Sequence, residues 1–175
     1  PVQGQLWGLR ARDWADVQER LSIPLFTAVL RSTNVGKGTA LLDIGCGSCV
    51  FCQMAGRLGA QVSGIDAADP LLAIARLRMP YSEFRLGEMQ RLPFPNESFD
   101  VVTGFNSFQF ADDPLCALRE ARRVTRCGGT LAIAVWGKPE EAEARAYFSA
   151  LSSFLPPPPP GAPGVFTFSH DGALE

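Results

Sequence analysis

The feature that most constrains this chain is a short apolar run that ends in an acid and two closely spaced glycines. Residues 39–44 suit a buried strand of a parallel sheet, and Gly45 and Gly47 then permit a sharp backbone turn. Residues 49–58 are apolar enough for a helix, which Gly59 is placed to end. A strand, a glycine turn and a helix in this order form the start of a nucleotide-binding unit, because main-chain N–H groups there can approach a ligand.

The second half of such a unit follows at once. Residues 61–66 read as a second strand that ends in Asp66, 21 positions after Gly45. A carboxylate at this offset reaches a ribose, and an ionised Asp accepts the two hydrogen bonds that a ribose diol donates. The sequence therefore predicts a nucleoside-containing ligand.

The glycine pattern narrows the ligand further. A dinucleotide-binding turn has glycine at three places in G-x-G-x-x-G, and here the third place is Val50. No P-loop lysine or Ser/Thr pair follows the glycines either. A nicotinamide cofactor and a bare phosphate are thus both disfavoured.

Composition sets the outer limits on function. With 175 residues, of which 46% are hydrophobic, the chain is expected to form one domain with a sizeable core. A net charge of −2 without a dense basic patch argues against nucleic acid or an anionic membrane as partner. The sequence has no bilayer-spanning apolar run and no signal-peptide pattern at its N-terminus, and its five cysteines are an odd number, so a reduced, cytoplasmic protein is expected.

Three of the cysteines, Cys46, Cys49 and Cys52, have the spacing of part of an iron–sulfur motif. The fourth position of that motif is Gly56, and the other two cysteines lie far away in sequence. We therefore expect no metal, and interpret the three as small residues of a turn and its helix.

The rest of the chain reads as alternating helices and strands, with helices expected over residues 11–20, 24–31, 70–78, 114–124 and 139–155 and strands over 82–86, 99–104 and 130–136. Residues 156–160 are a five-proline run, which is stiff and extended, so it is expected to be a connector.

Two stretches resemble a known family. Asp43-x-Gly45-x-Gly47 with Val62-x-Gly64-Ile65-Asp66, and later the run Leu92-Pro93-Phe94 with Ser98-Phe99-Asp100, resemble the class I S-adenosylmethionine-dependent methyltransferases. The likeness is closest to their small-molecule branch (methyltransferase type 11), which includes ubiquinone-biosynthesis-like enzymes. Cys49 replaces the last glycine of D-x-G-x-G-x-G, where the turn is expected to become helical, and Cys127 replaces the proline of L-x-P-G-G.

The resemblance implies the fold class and the domain organisation. We expect an α/β, Rossmann-like, doubly wound and mostly parallel sheet with helices on both faces. Residues 1–36 would be an N-terminal helical segment and candidate lid, 37–138 the cofactor-binding core, and 139–175 a C-terminal helix, connector and truncated tail. The family's sixth and seventh strands are expected to be absent from this chain, which would leave residues 130–136 as an edge able to pair with a second copy in a homodimer. Alternatively, the chain is part of a longer protein, or the proline-rich segment lies across the edge.

The resemblance also implies site residues. The positions that match those binding S-adenosylmethionine are Asp43, Gly45, Cys46, Gly47, Asp66, Ala67, Glu88, Met89, Phe105 and Asn106. Glu88 would face the adenine amino group and Met89 would pack near the ring; a solvated loop is the alternative for Glu88. Trp14, Phe108 and Phe110 are expected to line the substrate pocket. Trp7 and Trp14 would belong to the lid, although both could instead only pack their segment on the sheet.

The implied activity is methyl transfer from S-adenosylmethionine to a small apolar or amphipathic acceptor, without a metal. Because this donor is already activated, the protein mainly supplies proximity and orientation. The sole histidine, His170, lies in the tail and is not expected to be catalytic, so no catalytic base is named. The alternatives are a non-catalytic module that binds S-adenosylmethionine or S-adenosylhomocysteine, and a nicotinamide-dependent oxidoreductase.

Overall fold

The computed structural model describes residues 2–142, 146, 149, 150, 154, 164 and 166–170. These residues form a parallel five-stranded sheet with the order β3-β2-β1-β4-β5. The strands are β1 (Ala40–Ile44), β2 (Gln61–Asp66), β3 (Glu83–Leu86), β4 (Phe99–Phe105) and β5 (Thr125–Ala134). The helices are α1 (Val2–Gly8), α2 (Ala11–Asp13), α3 (Ile23–Ser32), α4 (Val50–Arg57), α5 (Asp69–Arg78) and α6 (Pro114–Val124). The predicted Rossmann-like fold is thereby confirmed.

The central strand β1 explains why both faces of the sheet are covered. Leu41, Leu42 and Ile44 have no exposed surface. Because successive side chains of a strand point to opposite faces, Leu41 joins the core cluster of α3, α4 and α5, whereas Leu42 and Ile44 join the cluster under α6. The continuous apolar run that marked this strand in the sequence therefore reflects burial on both sides.

The N-terminal segment differs from the expected pair of helices. Helix α1 was not predicted, and residues 11–22 form not one helix but the short α2, a π-helical turn (Trp14–Gln18) and a 3-10 turn (Glu19–Ser22). Such changes of helical pitch alter the direction of successive side chains. Here they accompany the burial of Glu19, a charged side chain that an ordinary surface helix would leave in water.

Strand β5 begins earlier than predicted and ends earlier too. It runs over Thr125–Ala134 rather than residues 130–136, so the prediction was wrong at both ends. The register explains the error: Phe99 of β4 pairs with Thr125 and Val101 pairs with Thr130, so β5 holds a bulge that includes Gly128 at φ +76°. Two glycines that looked like a turn before the strand lie inside it.

Among the described residues, β5 is an edge of the sheet, and later residues lie near it. Phe168 packs against the core cluster under α6, as Leu131 and Ile133 of β5 do, and the hydroxyl of Ser169 donates to the carbonyl oxygen of Trp136 at 2.8 Å. Residues 139–141 form a turn; the remainder of the helix predicted over 139–155 falls largely outside the described residues, and the run 156–160 and residues 171–175 entirely so. Pairing of this edge with a second copy stays a prediction.

The described helices are all short relative to the thickness of a bilayer. None of them combines the length and the apolar character that crossing a membrane requires.

Candidate active site

The glycine turn after β1 has a backbone that few residues can adopt. Gly45 has φ +74° and Gly47 has φ +55°, and a Cβ atom on Gly45 would lie 2.4 Å from the Cβ atom of Ser107. Cys49 precedes α4 as its N-cap, as predicted, and also has a left-handed φ of +74°. A left-handed backbone explains why glycine is usual at this position of the family pattern.

Asp66 faces this turn from the end of β2. One carboxylate oxygen accepts a hydrogen bond from the backbone N–H of Gly47 and the other from that of Ala68, each at 2.8 Å. Burial raises the pKa of Asp66, and these two amides partly oppose the rise because they favour the charged form. The carboxylate is thus held in one orientation beside the glycine turn, with acceptor capacity left over.

Asp43 lies behind the turn, and its exposed fraction is 2%. Its carboxylate accepts from the Thr103 hydroxyl at 2.8 Å and from the Cys52 thiol at 3.8 Å. Burial raises the pKa of Asp43 to about 7, against the lowering effect of the Thr103 hydrogen bond. Asp43 therefore links β1, β4 and α4 beneath the glycine turn and helps to hold the turn in place.

The cysteines of the turn and of α4 are buried thiols. The sulfur of Cys46 packs closely over Gly64, 2.7 Å from where a Cβ atom would lie. Burial raises the pKa of Cys46 to about 12 and also raises the pKa of Cys49 and Cys52, so these thiols stay protonated at neutral pH. Among the residues that the structure describes, no group of three or more Cys, His, Asp or Glu side chains is arranged to hold a metal ion.

The predicted adenine-facing residues follow β3. Glu88 is exposed, and its charge contributes to the raised pKa of Asp66, which shows that the two carboxylates lie near each other. Met89 is half-buried against the core cluster under α6. Both residues thus lie at the carboxyl edge of the sheet, on the same side as Asp66.

The loop after β4 completes this edge. The backbone N–H of Asn106, a residue with φ +49°, donates to the carbonyl oxygen of Ala134 at 2.8 Å. Phe105 is half-buried, and its ring centroid lies 4.6 Å from that of Phe51 and 4.8 Å from that of Phe26. The Ser107 hydroxyl donates to the carbonyl oxygen of Ile44 at 2.8 Å, which ties the loop to the end of β1.

Two of the three predicted pocket residues are brought together by a third aromatic residue. The ring of Trp7 makes edge contacts with Trp14, at a centroid distance of 5.1 Å, and with Phe110, at 5.7 Å. Trp14 also covers the glycine turn, since its indole nitrogen lies 3.4 Å from where a Cβ atom of Gly47 would be. Trp7 was expected, like Trp14, either to pack its segment on the sheet or to belong to a lid, but its contacts with Trp14 and Phe110 were not predicted.

Phe108 does not join this aromatic group. Its exposed fraction is 1%, and its ring lies 2.3 Å from where a Cβ atom of Gly104 would be, inside the core cluster under α6. The structure therefore places Phe108 in the core, with a glycine beneath it to make room, and we do not count it in the pocket.

The N-terminal segment lies directly against the end of β2. Gly4 of α1 packs on Ala67 so closely that a Cβ atom would lie 2.1 Å from the Ala67 carbonyl oxygen. Gly8 packs on Pro70 in the same way, at 3.1 Å. Residues 2–8 therefore lie over one side of the predicted cofactor site.

A buried ionic network, which the sequence did not reveal, fixes this segment to the glycine turn. Glu19, with an exposed fraction of 4%, accepts from the backbone N–H of Val50 at 2.9 Å, from the Ser48 hydroxyl and from Arg78 at 2.8 Å. Arg78 also donates to the carbonyl oxygens of Ser48 at 2.6 Å and Ala15 at 3.1 Å. Glu19 and Arg78 are 59 positions apart, so no local pattern could have indicated the pair.

The geometry agrees with the comparisons with known proteins. Residues 42–133 match the model of a family described as "Methyltransferase domain", so the chain belongs to that methyltransferase family.

Two curated relatives and one solved structure illustrate the likeness. The chain is 35% identical over 94 residues to malonyl-[acyl-carrier protein] O-methyltransferase of Serratia marcescens, a match that spans 54% of this chain and 37% of the relative. It is 33% identical over 126 residues to ubiquinone biosynthesis O-methyltransferase of Xanthomonas campestris, over 68% and 53% of the two chains. A solved SAM-dependent methyltransferase from Aquifex aeolicus superimposes with a TM-score of 0.65 at 21% identity, over 87% of this chain and 78% of that one, and so supports the fold. The chain spans 37% to 53% of the length of these two curated relatives.

Proposed function

We propose that this protein binds S-adenosylmethionine at the glycine turn and transfers its methyl group to a small apolar or amphipathic acceptor. The observation that carries the proposal is the Asp66 carboxylate, fixed by the N–H groups of Gly47 and Ala68 beside a left-handed glycine turn. The family match over residues 42–133 supports the same chemistry.

The residues at the carboxyl edge of the sheet fit the parts of that molecule. Asp66 accepts hydrogen bonds from the ribose hydroxyls, and Glu88 accepts from the adenine amino group. Met89 and Phe105 supply apolar surface for the adenine ring, and the backbone of Gly45, Cys46 and Gly47 lies along the methionine portion. Asn106 and Ala67 border the site from β4 and β2. Gly47 has a left-handed φ of +55°, which favours glycine there, and a Cβ atom would meet the Trp14 indole nitrogen only at an ordinary contact distance of 3.4 Å.

When bound, S-adenosylmethionine supplies an activated methyl group on a positively charged sulfur. The chain therefore has to hold two molecules in line and exclude water, and no metal is invoked. Trp7, Trp14 and Phe110 present aromatic surface above the turn. Of residues 1–36, which were predicted as a lid, the part before α3 covers the site and favours an apolar acceptor, whereas α3 packs in the core. His170 is exposed and has no part in the proposed reaction.

The state of the cysteines and the charge pattern are consistent with the proposal of a cytoplasmic enzyme that acts on a dissolved small molecule. All five cysteines are unpaired thiols, as expected in a reducing compartment. Nothing in the charge pattern favours nucleic acid or a membrane surface as the partner.

Calorimetric titration with S-adenosylmethionine, S-adenosylhomocysteine and NAD separates the proposal from the nicotinamide alternative. We expect both sulfur ligands to bind and NAD to show no heat of binding. Methyl transfer from labelled S-adenosylmethionine to a panel of phenols, carboxylic acids and amines then separates an enzyme from a non-catalytic binding module. Binding without transfer to any member of the panel would favour the module.

A further inference from the structure

Gln109 has a buried side chain whose hydrogen-bonding groups are unsatisfied. It has no exposed surface, and neither its amide oxygen nor its amide nitrogen has a hydrogen-bond partner among the described residues. Other buried polar side chains around the site, including Asp43, Glu19 and Thr103, do have partners. Oε1 of Gln90, in the loop after β3, also has no partner among the described residues, so Gln109 is distinguished by having both ends of its amide unpaired.

Leaving such a group unpaired is costly. A buried donor or acceptor without a partner costs about 1–3 kcal/mol, and Gln109 carries one of each. An apolar residue of the same size would avoid that cost in the ligand-free protein. A buried amide without a partner in the chain calls for an explanation, and a bound ligand or water that completes its hydrogen bonds is one.

The place of Gln109 in the fold indicates what completes them. It belongs to the 3-10 turn Phe108–Phe110, directly after β4. Strands β1 and β4 are neighbours at the point where the strand order reverses, and ligands of open α/β sheets bind beyond the carboxyl ends of the strands at that point. Gln109 thus lies between Ser107, whose hydroxyl is bonded to the end of β1, and Phe110, whose ring contacts Trp7 of the N-terminal segment.

The chemistry of the amide selects among ligands. A cation would satisfy only its oxygen and an anion only its nitrogen, whereas a hydroxyl group or a buried water molecule both donates and accepts. The preference for 2-naphthol tested below separates a ligand hydroxyl from a water. We propose that Gln109 binds the methyl acceptor through a hydroxyl or a protonated carboxyl oxygen, so that the acceptor is an apolar molecule methylated on oxygen. This inference rests on the proposed function.

The reaction that follows is balanced without further reagents. The acceptor oxygen forms the new bond to the methyl carbon, the carbon–sulfur bond breaks with its electron pair on sulfur, and the hydroxyl proton passes to water. The carbonyl of an amide orients that proton but is too weak a base to keep it, so Gln109 is a binding and specificity residue rather than the proton acceptor.

The first test needs no activity and no cofactor. Gln109→Met keeps the length of the side chain but removes both unmet groups, so the ligand-free variant is expected to melt a few degrees higher than the original protein. The matched control is Gln53→Met on α4, where the amide donates to the Arg78 carbonyl oxygen at 3.5 Å, and no rise is expected there. A lower melting temperature for Gln109→Met would overturn the proposal, because the amide would then be satisfied within the folded chain.

The second test identifies the ligand. Titrations with S-adenosylhomocysteine should give the same affinity within twofold for the original protein and for Gln109→Met. With S-adenosylhomocysteine present, the original protein should bind 2-naphthol at least tenfold more tightly than 2-methylnaphthalene, and Gln109→Met should lose this preference. A fall in S-adenosylhomocysteine affinity would assign Gln109 to the cofactor instead, and equal binding of the two naphthalenes would overturn the hydroxyl specificity. If S-adenosylhomocysteine does not bind the original protein at all, the proposed function fails, while the melting experiment still decides whether the amide is unmet.

Discussion

The two halves of the candidate site differ in how their polar groups are satisfied. On the β1–β2 side, the carboxylates of Asp43 and Asp66 and of Glu19 nearby all have hydrogen-bond partners within the chain. On the β4 side, Gln109 is buried with none among the described residues. We therefore propose that the first half is assembled before any ligand arrives and that a ligand completes the hydrogen bonds of Gln109. Oε1 of Gln90, in the loop after β3, is the point at which the first half is also left without a partner among the described residues.

This difference matches the two tasks that we assign to the site. A nucleoside cofactor is the same in every turnover, so a site with its groups already fixed lowers the ordering cost of binding. The acceptor has to be recognised against similar molecules, and a group left unpaired by the wrong ligand gives strong discrimination. Experiments that disturb the assembled half should therefore change stability, and those that disturb the β4 half should change specificity.

The largest expected effect is on the ionic network that joins the N-terminal segment to the glycine turn. Arg78→Met leaves the buried carboxylate of Glu19 without its cation, so the free energy of unfolding should fall by about 3–5 kcal/mol. The control is Arg76→Met two residues earlier, where the ion pair to Asp69 is exposed and is worth at most about 1 kcal/mol. Equal losses in urea unfolding would show that the network does not hold the segment in place.

The pH dependence of stability tests the burial of Asp43. Its pKa rises from 3.8 to about 7 on folding, so the folded state keeps a proton that the unfolded state releases, and stability falls as the pH rises from about 4 to 7. The fall due to this group is at most about 4 kcal/mol. Asp43→Asn removes the titration and preserves the Thr103 hydrogen bond. The free energy of unfolding of the variant should therefore increase relative to that of the original protein as the pH rises from 5 to 8. A constant difference in unfolding free energy across that range would contradict the assignment.

Alanine substitutions at two glycines with left-handed backbones distinguish the cost of backbone strain from the cost of a steric clash. Gly45→Ala combines a left-handed φ with a clash against Ser107 and should cost about 2–3 kcal/mol. Gly38→Ala has a φ of +83° but open space around its Cβ position, so it reports the strain alone, about 1–2 kcal/mol. Thermal melting of the two variants gives both values, and an equal cost would mean that the loop after β4 yields to the added methyl group.

Local sequence signals were sufficient for the assembled half of the site. The apolar run of β1, the two glycines and the acid at the end of β2 each follow from neighbours in the sequence, and the structure brings them together. Cys49 was expected where the turn becomes helical and lies there, although its left-handed backbone could not be read from a non-glycine residue.

Features that depend on distant contacts were missed or misplaced. The ion pair between Glu19 and Arg78 joins residues 59 positions apart in sequence. The aromatic contact of Trp7 with Phe110 joins α1 to the 3-10 turn after β4. Phe108 and Phe110 cannot be told apart from their sequence neighbourhood. Phe108 packs in the core and Phe110 contacts Trp7, because their side chains leave the 3-10 turn in different directions. Nothing in the sequence marks Gln109 as unmet, since only packing decides which polar groups find partners.

The most direct test of the central claim is a calorimetric titration of S-adenosylmethionine into the original protein and into Asp66→Ala. Loss of the carboxylate that accepts from the ribose should weaken binding by about 1.5–3 kcal/mol, the usual contribution of hydrogen bonds to a charged group. Asp69→Ala, three residues further along and exposed, is the matched control and should bind as the original does. If Asp66→Ala retains its fold by circular dichroism and binds S-adenosylmethionine with unchanged affinity, the cofactor does not lie at the end of β2 and the account is contradicted.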